Sequence, residues 1–225
     1  MKSNNNLVSS QALLISLVLL LFIPTLATAE WLSTVSRLLF SFTMVSSLYL
    51  AARDRTELLI GAIIFVPTLT TKWMLATALS PEAQLLSYCA LQVIFLGYIM
   101  RIVYQRLLSV RTVNQEVIYA SIVLYLLFGI CLTLIYYAIL ILEPSAFGGK
   151  IVLDTSDAHS TSKVLQELIY FSLVTQTTLG YGDLSPTLGS ARIIAAFQAI
   201  LGQLYIAVVV ARLVGIAIAT TENKE

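Results

Sequence analysis

The sequence predicts an all-α membrane protein of six transmembrane helices, with a short re-entrant helix and a glycine-containing loop between helices five and six. Three observations predict it. The 225 residues are 58% hydrophobic and only 11% charged, whereas soluble domains carry about a quarter charged residues. Six stretches reach the roughly 20 mostly apolar residues that a crossing helix needs. Cationic residues gather at one set of loop ends, the pattern that fixes orientation in a bilayer.

The first span covers about 11–29. Lys2, the apolar run that follows and the small residues Ala27, Thr28 and Ala29 also resemble a signal peptide with its cleavage site. A retained helix is favoured, because the run is long and a second span starts almost at once at Trp31. The next four spans cover about 31–52, 57–79, 83–105 and 116–142, and the last covers 189–217. Between the last two lies an apolar stretch, about 163–176, too short to cross. Non-helical backbone at membrane depth is tolerated only where protein or a water-filled cavity surrounds it.

Lys2, Arg53, Arg55, Arg101, Arg106, Arg111, Arg212 and Lys224 fall on one side of such a six-span chain, and most acidic loop residues fall on the other. The expectation is a multi-pass protein of the cell (inner) membrane with both termini cytoplasmic. The net charge of +1 gives no reason to expect a nucleic-acid partner. Cys89 and Cys131 sit in apolar runs and read as small buried apolar residues. With a single histidine, His159, neither a His-rich metal site nor a His-dependent catalytic network is expected, and no cofactor is expected either.

The most informative stretch is Thr175, Gln176, Thr177, Thr178, Leu179, Gly180, Tyr181, Gly182 and Asp183. It closely resembles the potassium-channel signature Thr-Val-Gly-Tyr-Gly followed by Asp, with Leu179 in place of Val. The resemblance implies a prokaryotic potassium channel with a two-span pore module, in which four such loops from a homotetramer line a single-file path. Backbone carbonyls would replace the hydration shell of the permeant potassium ion at Thr178, Leu179, Gly180 and Tyr181. Gly180 and Gly182 can take left-handed angles without a side-chain clash, so alternating backbone conformations can aim successive carbonyls at one axis. Leu179 and Tyr181 would point away and pack on the pore helix.

The flanks extend the resemblance. The pore helix, about 163–177, would turn its C-terminal partial negative charge toward the cavity. Thr175, Gln176 and Thr177 would hydrogen-bond the filter backbone from behind. Asp183 would sit at the outer mouth, drawing cations, bonding the filter scaffold or pairing with Arg192. Val174 stands where some relatives have a glutamate, so stabilisation by a carboxyl pair is not expected. Ser185 and Pro186 read as the N-cap and first residue of the last helix. Gly202 lies where many relatives carry a bending glycine, and it equally suits close helix packing. Ala207, Val210 and Ala211 would line an apolar lower cavity.

Two domains are expected, a four-helix region at 1–110 and a pore domain at 111–225. The fourth span carries only Arg101 and Arg106, both near its inner end, and no acidic partners are expected in the second and third spans. Moving one charge through the field is worth about 2.3 kcal/mol per 100 mV, so strong voltage gating is not expected. About ten residues after the last span leave no expected regulatory module, and the loop 143–162 reads as an outer turret. A weakly selective cation channel is the nearest alternative, disfavoured by the intact Tyr181. A potassium transporter would carry four such segments in one chain, and an enzyme would need clustered polar groups within its spans.

Overall fold

The structure, a computed structural model, describes residues 3–26, 43, 45–46, 55–73, 80–149, 151 and 158–222. Among the described residues six helices follow in order: α1 (Ser3–Leu26), α2 (Arg55–Trp73), α3 (Pro81–Ser109), α4 (Gln115–Leu142), α5 (Ala158–Gln176) and α6 (Gly189–Glu222). Pro81–Ser109, Gln115–Leu142 and Gly189–Ile216 are long and apolar enough to cross a membrane. In α1 the apolar run among described side chains is shorter, Gln11–Phe22. The expected span 31–52 lies outside the described residues, apart from Thr43, Val45 and Ser46.

Local sequence sets the helix starts. Ser80 caps α3 through its side chain, which accepts from Ala83 N, and Pro81 occupies the first turn, where its missing N–H costs nothing. Asn114 does the same for α4, accepting from Val117 N at 3.1 Å. α3 runs to Ser109 and α4 starts at Gln115, so only 110–114 connect them.

α4 joins two cores. On one side Leu127 and Leu134 pack with Leu13 and Leu17 of α1 and with Phe95 and Ile99 of α3. On the other, Tyr136, Tyr137 and Leu140 pack with Leu168 and Phe171 of α5 and Ala191 of α6. Tyr136, Phe147 and Phe171 form a triangle of edge-on rings with centroids 5.1 to 5.8 Å apart. Each such pair adds about 0.5–1.5 kcal/mol beyond its buried area. This second core fixes α5 against the helix on either side of it.

Two expectations change here. Ser185 and Pro186 do not start a helix: they form β2, antiparallel to β1 (Phe147–Gly148), with Phe147 opposite Pro186. Ala146 O accepts from Thr187 N and Leu188 N, so the chain is clamped to the 143–162 loop before α6 begins at Gly189. A proline has no N–H to give a ladder and is at home on such an edge. Arg106 also finds an acid that was not expected, Glu57 in the first turn of α2, at 3.8 Å.

Candidate functional site

α5 ends in a defined stop. Leu179 N donates to Val174 O and Thr178 N to Thr175 O, each at 3.0 Å. This is the Schellman pairing, which needs a left-handed residue just beyond the helix. Thr178 is that residue, with φ of 61°, and it is the only non-glycine at positive φ among the described residues. Glycine usually fills this position. A β-branched side chain there costs about 1–2 kcal/mol, so Thr178 is a strained point held by its surroundings.

Beyond it the backbone alternates. Gly180 and Gly182 have φ of 57° and 80°, while Leu179 before the first and Tyr181 between the two stay off the positive side. In an ordinary extended chain successive carbonyls point opposite ways. Alternating handedness reverses every second peptide, which lets consecutive carbonyls face one side.

Hydrogen bonding divides sharply at Thr178. Leu173 O, Val174 O and Thr175 O accept from the backbone that follows them. Gln176 O takes the Tyr125 hydroxyl at 3.2 Å, and Thr177 O takes Gln203 Nε2 at 3.5 Å. Among the described residues nothing donates to the carbonyls of Thr178, Leu179, Gly180 or Tyr181. These residues are exposed in the single chain, so their carbonyls are open to a partner outside it.

The side chains expected behind the loop do other work. Gln176 is fully buried, and it anchors α5 rather than the loop backbone: its Nε2 donates to Tyr125 O at 2.7 Å. Gln198 Nε2 donates to Ser172 O, Ser172 Oγ and Gln176 Oε1 at 3.0, 2.8 and 3.3 Å. Tyr136 donates to Gln198 Oε1 at 2.7 Å, and Ser172 Oγ to Gly129 O at 2.7 Å. Thr177, just past α5, donates its Oγ1 hydroxyl back to Leu173 O at 2.8 Å, and the residue is exposed. Thr175 contributes its carbonyl to the helix stop.

Two glycines make room for Gln176. A Cβ on Gly202 would lie 2.2 Å from Gln176 O, and one on Gly129 would lie 2.8 Å from Gln176 Oε1. Gly202 is thus a close-packing position within an unbroken α6. Gly129, Gln198, Ser172 and Tyr125 were not singled out from the sequence. Their only signal there is a polar or small residue inside an apolar run.

At the other end of the loop, Asp183 Oδ2 accepts from the Tyr170 hydroxyl at 2.8 Å, and Oδ1 from Leu184 N at 3.0 Å. The bond to Asp183 is the first cause that pushes the Tyr170 phenol above its ordinary pKa. Arg192 is not Asp183's partner among the described residues. The Tyr181 ring stacks on Tyr170 with centroids 6.3 Å apart and planes 3° from parallel. Tyr181 thus touches the helix through Tyr170, but it is 65% exposed and Leu179 is 61% exposed in the single chain. On α6, Gln203 Nε2 donates to Thr178 Oγ1 at 3.2 Å. Further along, Ala207, Val210 and Ala211 are exposed.

Residues 145–219, a third of the chain, match a family model described as ion channel. The match contains all of α5, the loop and most of α6, and it supports an ion-channel family. An ion-channel family domain on apolar helices supports a membrane protein that conducts ions rather than an enzyme. Neither the curated proteins nor the solved structures include a match.

Proposed function

We propose that the chain is one subunit of a tetrameric potassium-selective channel, with residues 178–182 as its filter. One observation carries the reading: a run of carbonyls without donors begins at Thr178, on a backbone whose handedness alternates at Thr178, Gly180 and Gly182. Carbonyl oxygens facing one side can replace the hydration shell of a monovalent cation. One chain supplies one row, and a closed shell needs several rows around a symmetry axis. The exposed apolar face of α6, including Phe197, Ile200, Leu204 and Val208, is available for neighbouring subunits or lipid.

Roles follow from position. Asp183 holds the outer end of the filter through Tyr170, and Gln203 holds its inner end through Thr178. Gln176 fixes the pore helix. Gly202 gives α6 its close approach to Gln176, and Ala207, Val210 and Ala211 line the inner cavity. Residues 1–110 form the flanking helical domain and 111–225 the pore domain, with both termini in the cytoplasm of a cell whose inner membrane the protein spans. Gating is not strongly voltage-driven, since Arg101 and Arg106 are the only cations on α3 and Arg106 is already paired.

The test is flux through the purified protein in liposomes. A potassium gradient should drive flux that barium blocks, with sodium flux far lower. Equal sodium and potassium flux would overturn the selectivity.

A further inference from the structure

A cleft of about 310 Å³ opens between α3, α4 and α6, away from the filter loop. Its walls are apolar and aromatic, with Tyr104 of α3, Phe128 and Tyr125 of α4, and Tyr205 of α6. Gly97 forms part of the wall, and a Cβ there would meet nothing within 4 Å. A single cation, Arg101, stands in this lining.

Arg101 is an exposed charge inside α3 rather than at its end. It lies eight positions before Ser109, the last residue of α3, or about 12 Å along the helix at 1.5 Å per residue. It makes no ion pair among the described residues. Of the described carboxylates, Glu82, Glu116 and Glu143 lie at helix ends, and Glu167 and Asp183 belong to α5 and its loop. Glu57 does lie beside this part of α3, its backbone O accepting from Tyr98, but its side chain pairs with Arg106, and in a second copy it would be engaged in the same way. An ionisable group within a span marks a functional position with a partner to be named.

We propose that the cleft binds an anionic phospholipid of the cytoplasmic leaflet, with its phosphate on Arg101 and an acyl chain along the aromatic wall. The arginine stem reaches toward the headgroup layer while its guanidinium pairs with the phosphate. The bound chain lies against Tyr125, whose hydroxyl donates to Gln176 O at the end of α5, and against Tyr205, whose hydroxyl donates to Ser121 O at 2.7 Å. Lipid occupancy therefore bears on the helix that carries the filter. The choice of leaflet rests on the proposed topology; the site itself does not.

Native mass spectrometry of the purified full-length protein tests this, with phosphatidylglycerol and phosphatidylcholine of identical acyl chains as probes. The wild type should retain phosphatidylglycerol about five-fold better, the scale of one basic residue near a membrane surface. Arg101→Gln should remove that preference, Arg101→Lys should keep it, and Arg111→Gln should leave it unchanged. Gly97→Leu, which fills the cleft, should reduce retention of both lipids. An unchanged preference in Arg101→Gln, or unchanged retention in Gly97→Leu, would overturn the proposal. So would loss of the oligomer in Gly97→Leu with lipid retention intact, because a second copy would then occupy the cleft. Retention is read without any conduction, so a protein that fails to select potassium leaves this result standing.

Discussion

The two sides of residue 177 are built in opposite ways. Before it, every carbonyl of the last turn of α5 has a donor, and Gln176 is buried between two glycines. After it, four carbonyls have no described donor, and the loop side chains are exposed. The chain uses its buried hydrogen bonds to hold a helix end still and leaves the next carbonyls without a described partner; under the proposed function they bond an ion. Rigidity and availability are adjacent here because the first makes the second useful: a carbonyl row can recognise an ion by size or field only if its base does not drift.

That contrast can be broken most severely at Gly202. Gly202→Ala places a Cβ against the Gln176 backbone, where only a shift of α5 or α6 relieves the clash. The expected cost is about 3 kcal/mol or more, read as a large loss of thermal stability and of oligomer in detergent. Wild-type stability would mean that the helices do not approach as described.

A smaller effect should follow from Gln198→Leu. It leaves the Tyr136 hydroxyl without its acceptor and removes one donor from Ser172 and Gln176, all of them buried. A cost of about 2 kcal/mol is expected in thermal unfolding. A double-mutant cycle with Tyr136→Phe should recover part of it, and strict additivity would show that the two groups are not coupled.

The smallest change should come at the exposed end, from Tyr170→Phe. The folded-state pKa of Tyr170 is raised, so its bond to Asp183 contributes fully below the ordinary phenol pKa and is lost as pH rises through the raised value. The variant should melt slightly lower near neutral pH and lose part of the wild type's decline at alkaline pH. Identical alkaline profiles would remove Tyr170 from the support of the loop.

The loop itself was legible in the sequence because its chemistry is written in consecutive residues. Gly180 and Gly182 announce positive φ by their identity, and the structure puts both there. Thr178 does not announce it, and its left-handed turn appears only with the helix stop that demands it. The supports were illegible for a different reason. Tyr136 and Gln198 are 62 residues apart, and no local rule pairs them. Ser185 and Pro186 were misread because their local preference suits a helix start, while pairing with Phe147 and Gly148 of a distant loop prevails. Hydropathy found more spans than the described helices meet: three satisfy the length and apolarity of a crossing, and the stretch 31–52 lies almost wholly outside the described residues.

Under the proposed function, alternating backbone handedness at residues 178–182 makes the ion path, and one measurement addresses it directly. Semisynthetic protein carrying either L-alanine or D-alanine at Gly180 should be reconstituted and its potassium flux compared with the wild type. Gly180 sits at φ of 57° with open space around it, so an L side chain meets strain and no clash. D-alanine, which favours positive φ, should keep the flux and its preference over sodium, and L-alanine should lose it. Equal flux through both would contradict the account.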